Sequence, residues 1–108
     1  MIKNNIEFEY RYRDAANYKT YGGIVFSNMH KLSIEDIKDS IKKILIDGEY
    51  FYPSPLGIPT FETSLINLDI NPTWYEFTEV EVTEEKVSDN RDITEFIEDL
   101  KHQKLAVG

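Results

Sequence analysis

Glutamates and aromatic residues occur together along one predicted strand, and just beyond it, in the second half of the chain. The members of this set are Trp74, Tyr75, Glu76, Glu79, Glu81 and Glu84. Carboxylates steer a positively charged partner, and exposed aromatic rings anchor it once it has docked. The sequence therefore predicts a protein-binding surface here, aimed at a basic partner. The alternative interpretation is a solvated acidic face that binds nothing.

A second group of polar residues follows the first predicted strand, at Arg13, Asp14, Asn17 and Tyr18. The planar guanidinium of Arg13 is suited to bind a carboxylate through two hydrogen bonds, with Asp14 and Asn17 beside it. Such a site would belong to a small enzyme or a ligand-binding protein. In the structural interpretation, Asp14 caps a turn and Asn17 adopts a left-handed conformation.

Sequence motifs for catalysis, metals and cofactors are not found. The only histidines, His30 and His102, stand outside any His-x-x-x-His or Glu-x-x-His spacing, and the chain has no cysteine. Phosphate-binding and nucleophile-elbow motifs are missing as well. We therefore predict no catalytic residue, no metal ligand and no cofactor, and a non-enzymatic protein rather than an enzyme.

Charge is distributed unevenly along the 108 residues, whose net charge is −8. Residues 1–46 contain eight Lys or Arg and six Asp or Glu, whereas residues 47–100 contain two and fourteen. An acidic chain is not expected to bind nucleic acid or an anionic membrane, because both require clustered cations. No apolar run has membrane-spanning length and no signal peptide is visible, so a cytoplasmic location is expected.

The strands that must position these residues are predicted from alternating apolar side chains. Apolar residues at every second position from Ile6 to Tyr12 predict a half-buried strand. Ile24 to Phe26 predict a second strand, with a bulge or tight turn at Gly22-Gly23. Further strands are expected over 49–52, 61–69 and 74–83. The alternation slips near Thr78, which predicts a bulge or bend there.

Two helices are predicted from apolar residues spaced by three and four. The main helix covers about 34–46, with Ser33 as its N-cap and Gly48 after its end. A short C-terminal helix covers about 92–103, capped by Asn90 or Asp92. The expected fold is therefore α+β, with the main helix packed on an antiparallel sheet of four to five strands. We expect residues 1–103 to form one domain and residues 104–108 to form a frayed tail.

Several segments within roughly residues 8–80 resemble a group of small uncharacterised bacterial proteins. The matching segments are Tyr12-Arg13-Asp14-Ala15-Ala16-Asn17-Tyr18-Lys19, Val25 to Asn28, Leu32-Ser33, Leu45 to Phe51, Gly57 to Pro59 and Trp74 to Phe77. The resemblance implies a common fold and no particular activity.

The charge pattern favours a small acidic inhibitor, immunity or regulatory protein, which would suit bacterial or phage defence and counter-defence. An exposed sheet edge is also compatible with a homodimer.

Overall fold

The computed structural model describes residues 4–13, 16–53, 56–58 and 74–107, which form an α+β fold. Its elements in chain order are β1 (Asn5–Arg13), β2 (Lys19–Phe26), α1 (Ile34–Ile44), β3 (Tyr50–Phe51), β4 (Tyr75–Thr83) and α2 (Ile93–Val107). The four strands form one antiparallel sheet in the order β2-β1-β4-β3. The predicted fold class is confirmed with four strands, while the strand predicted over 61–69 lies outside the described residues.

The predicted alternation of β1 is confirmed along the whole strand. Its apolar residues, from Ile6 to Tyr12, are buried, and its charged residues are only half-buried. Because β1 lies between β2 and β4, its buried side chains occupy the centre of the core. Phe8 contacts rings from three other elements, with centroid distances of 5.3 Å to Phe51, 5.3 Å to Phe77 and 4.9 Å to Phe96.

Helix α1 begins as predicted and ends earlier than predicted. Ser33 is its N-cap and accepts a hydrogen bond from the Asp36 N–H at 3.1 Å. The helix ends at Ile44 instead of residue 46, because Leu45 already has extended dihedral angles. Asp47 and Gly48 then take positive φ angles of 53° and 70°, which turn the chain towards β3.

Helix α2 begins at a capping box that also connects it to the exit of β2. The Asp92 carboxylate accepts hydrogen bonds from the Thr94 N–H and hydroxyl, and Glu95 accepts one from the Asp92 N–H. The same carboxylate accepts from the Ser27 hydroxyl and the Met29 N–H, both at 2.8 Å. The helix continues to Val107, past the predicted end at residue 103. Neither helix of the described residues is long and apolar enough to cross a membrane.

The prediction of a bulge or tight turn at Gly22-Gly23 is wrong. Both glycines lie within β2, in unbroken register with Tyr10 and Glu9. The chain reverses earlier, between the two strands, where Asn17 has a φ of 70°. Gly23 instead accommodates a close side chain, because a Cβ atom there would lie 2.7 Å from Glu7 Oε2.

Candidate partner-binding face

Both helices of the described residues pack against one side of the sheet, and no helix of those residues lies on the other side. Buried residues of α1 and α2 join the core beneath the buried side chains of β1. The charged side chains of β1 point to the opposite side, at Glu7, Glu9, Arg11 and Arg13. We call this surface, together with its neighbours on β2, β3 and β4, the outer face.

A bulge at Thr78 decides which residues of β4 belong to the outer face. Glu9 pairs with Glu79 and Tyr10 pairs with Phe77, so Thr78 is the extra residue that the slipped alternation predicts. Without it, the alternation beginning at buried Phe77 would turn Glu79 towards the core. The predicted bulge is thus confirmed, and it places Glu79 and Glu81 on the outer face.

Three glutamates meet on the outer face and form what we call the glutamate cluster: Glu7, Glu9 and Glu81. One carboxylate oxygen from each lies within 4.8 Å of the others. Glu7 lies opposite Glu81, and Glu9 lies opposite Glu79, so like charges face each other across β1 and β4. Within the described part of the chain, no Lys or Arg forms an ion pair with any of the three. Among the described residues, the cluster is therefore a concentration of negative charge without a paired cation.

Glu9 is the least solvated member of the glutamate cluster. Its Oε2 atom is buried, and no hydrogen-bond donor of the described residues reaches it. Burial raises the pKa of Glu9 above its ordinary value of 4.5, and the charges of Glu81 and Glu7 raise it further. When Glu9 is protonated, it can donate to the neighbouring Glu81 carboxylate.

The glutamate cluster is also the set of described residues with the chemistry to hold a metal ion. Hard cations such as Ca²⁺ and Mg²⁺ bind carboxylate oxygens. Exposed acidic groups often gather without an ion, so the arrangement alone is no evidence for a bound metal.

Glu79 lies opposite Glu9 but is paired with a lysine of α1 at the edge of β4. Its carboxylate accepts hydrogen bonds from Lys38 Nζ of α1 and from the Val80 N–H. The contact with Lys38, followed by that with Val80, lowers the pKa of Glu79 below its ordinary value. Glu84, in the segment after β4, is exposed.

Glu76 is held in an ion-pair network at the other end of the outer face. Its Oε1 atom lies 2.6 Å from Arg11 Nε and 3.3 Å from Arg13 Nη2. Glu76 is only 8% exposed, so its charge is neutralised within the protein. It is therefore unavailable for the long-range steering that the sequence suggests.

Of the two neighbouring aromatic residues in the predicted site, only Trp74 reaches the surface. Trp74 is 41% exposed and packs edge-on against Tyr50, at a centroid distance of 6.2 Å. Tyr75 is 4% exposed and stacks on Tyr10 in the core, so the expectation that its ring anchors a partner on the surface needs correction. Consecutive residues of a strand point to opposite faces, which explains the difference.

The polar cluster predicted after β1 is described in part, since Asp14 lies outside the described residues. Asn17 has the left-handed conformation of the structural interpretation, and Tyr18 is 75% exposed. Arg13 is turned towards Glu76 on the sheet. This contact favours a structural role for Arg13.

Glu7 and Glu9 are functional candidates that local sequence patterns do not single out. Their alternation with buried residues was a signal that they share the polar side of β1. Their proximity to Glu81 depends on the pairing of β1 with β4, which joins residues 65 to 78 positions apart. Nothing in local spacing specifies that pairing.

Replacing Glu9 by glutamine should stabilise the protein by about 0.5–1 kcal/mol at pH 7, because it removes a like-charge contact across two strands. Folding raises the pKa of Glu9, so at pH 7 its ionised side chain lowers the free energy of unfolding. That destabilisation decreases as the pH falls through the raised pKa towards 4.5. The advantage of Glu9→Gln over the wild type should therefore shrink as the pH falls from 7 towards 4.5, as urea unfolding would measure.

The matched control is Glu84→Gln, which removes the same charge from an exposed position after β4. Its free energy of unfolding should stay within about 0.5 kcal/mol of the wild type. A destabilised Glu9→Gln variant at pH 7 would contradict the interpretation of the cluster as repulsive.

Comparison with known proteins does not place the chain in a family. No protein-family model matches it, no curated protein matches its sequence, and no solved structure matches its fold.

Proposed function

We propose that this chain is a non-enzymatic protein-binding module that docks a basic partner surface on its outer face, as an inhibitor, immunity or regulatory protein does. The observation that carries the proposal is the glutamate cluster, whose three carboxylates have no cationic partner among the described residues. Lysine or arginine side chains from another protein would supply that charge.

The energetics of the cluster support this proposal. Like charges directly opposite each other on neighbouring strands destabilise a sheet. The buried Oε2 atom of Glu9 adds to this cost, because no donor of the described residues satisfies it. A bound cation from a partner would offset the repulsion between the carboxylates. The free energy that the isolated protein loses here would thus be recovered on binding.

Exposed aromatic residues elsewhere on the outer face would anchor the partner. Tyr21, which lies opposite Arg11 on the outer face, is 64% exposed. Trp74 is 41% exposed at the start of β4, supported by Tyr50. Tryptophan and tyrosine are enriched among the residues that dominate binding energy at protein interfaces. The outer face therefore combines charges that steer a partner with rings that hold it.

The proposal can be tested by affinity capture from lysate with two immobilised variants that have lost the same charge. The cluster variant carries Glu7→Gln, Glu9→Gln and Glu81→Gln. The helix variant carries Glu35→Gln, Asp39→Asn and Glu98→Gln, which are exposed positions on α1 and α2. We expect the wild type and the helix variant to retain the same basic protein, and the cluster variant to lose it.

Raising the salt concentration during capture should weaken retention by the wild type, because the attraction is electrostatic. Equal retention of that protein by the cluster and helix variants would exclude the outer face as its binding surface. Loss of the protein from both variants would show that net charge, and not the cluster, governs binding.

A further inference from the structure

Part of the outer edge of β2 has no hydrogen-bond partner among the described residues. Val25 donates its N–H to Ser88 Oγ and accepts from the Ser88 N–H, both at 2.9 Å, so its backbone groups point away from β1. Because β2 is in unbroken register with β1, the N–H and C=O groups of Lys19, Tyr21 and Gly23 point the same way. Among the described residues, none bonds to these three on that side.

We propose that this open edge pairs with the same edge of a second copy of the chain, antiparallel about a twofold axis at Tyr21. Tyr21 would pair with Tyr21 of the partner subunit, and Lys19 with Gly23 of the partner subunit. The two sheets would then become one continuous sheet, and both open edges would be covered. This dimer does not rest on the proposed function, since a monomer would present the same outer face.

The register of the dimer follows from which backbone groups are free. Pairing Lys19 with Gly23 of the partner subunit uses all three open residues of each strand. If the register were shifted so that Lys19 paired with Val25 of the partner subunit, the dimer would need the N–H and C=O of Val25, which already bond to Ser88. If the register were shifted the other way, so that Lys19 paired with Tyr21 of the partner subunit, Gly23 would have no open residue opposite it.

Charge complementarity favours a second copy as the occupant of this edge. In the proposed register, Lys19 of the partner subunit lies beside Gly23 on the outer face. Gly23 has no side chain, Glu9 lies opposite it on β1, and Glu7 Oε2 lies close above it. Two strand spacings amount to about 10 Å, a distance that extended lysine and glutamate side chains can bridge. One lysine against three carboxylates leaves the glutamate cluster acidic.

The dimer can be tested by sedimentation equilibrium of the full chain over about 10 μM to about 1 mM. We expect a concentration-dependent dimer in the wild type. Lys19→Glu and Glu7→Lys, each alone, should weaken the dimer at least about tenfold. Each change places like charges at positions 19 and 7 in both of the contacts that the twofold axis relates. The double variant with both changes should restore the dimer. Lys31→Glu, an exposed charge reversal beyond the other end of β2, should leave the dimer unchanged.

Hydrogen exchange identifies the edge independently of charge. The amides of Lys19, Tyr21 and Gly23 should gain protection as the wild-type concentration rises, with no matching gain in the Lys19→Glu variant. A wild type that stays monomeric throughout the range would overturn the proposal. So would a dimer that is insensitive to Lys19→Glu or that leaves these three amides unprotected.

Discussion

Replacing Phe8 by alanine is expected to lower the free energy of unfolding by about 4 kcal/mol. Phe8 is fully buried in the central strand and touches Phe51, Phe77 and Phe96, which belong to β3, β4 and α2. Removing the ring leaves a cavity bordered by three elements. Domains of this size are stable by about 5–15 kcal/mol, so this single substitution should remove between about a quarter and most of the free energy of unfolding.

Urea unfolding followed by tyrosine and tryptophan fluorescence measures this effect. Phe8→Leu is the graded control, because leucine refills part of the cavity and should cost only about 1–2 kcal/mol. If alanine and leucine at this position were equally stable, Phe8 would not be the point where the strands and α2 pack together.

Replacing Asp92 by alanine is expected to cost about 3 kcal/mol, the second largest effect. The side chain is 5% exposed and caps α2 through the Thr94 N–H and hydroxyl. It also accepts hydrogen bonds from Ser27 and Met29, which follow β2. The substitution removes a helix cap and leaves the partly buried donors of Ser27 and Met29 without their acceptor.

Ser33→Ala is the matched control, since Ser33 caps α1 with one exposed hydrogen bond and should cost about 1 kcal/mol. Equal losses at the two caps would show that the bonds from Asp92 to Ser27 and Met29 contribute nothing. Burial opposes ionisation of Asp92, but the hydrogen bonds from Met29 and Thr94 outweigh it and lower the pKa below 3.8. The stabilisation of the folded protein by ionised Asp92 is therefore present above pH 3.8, and it is lost as the pH falls through the lowered pKa.

Local periodicity predicted the elements whose burial pattern is regular. Strand β1 alternates without interruption, and α1 has a capped N-terminus and an apolar stripe at Ile37, Ile41 and Ile44. The bulge at Thr78 was also predictable, because an extra residue in a strand displaces the alternation by one position. In these places, the local pattern and the packing require the same structure.

The features that local patterns did not reveal depend on contacts between distant segments. Tyr75 is buried against Tyr10, and Glu76 is neutralised by Arg11, because β4 pairs with β1. The same pairing adds Glu7 and Glu9 to an acidic surface that the sequence placed in the second half alone. Gly23 suggested a turn, yet it lies within a strand beneath a side chain from the neighbouring strand.

The central claim is that the glutamate cluster on the outer face binds a basic partner. Its most direct test is the dissociation constant of the captured, purified partner for the wild type, the cluster variant and the helix variant. The cluster variant should bind at least about tenfold more weakly, and with a smaller dependence on salt, while the helix variant should match the wild type. Equal dissociation constants for the cluster and helix variants would contradict the claim.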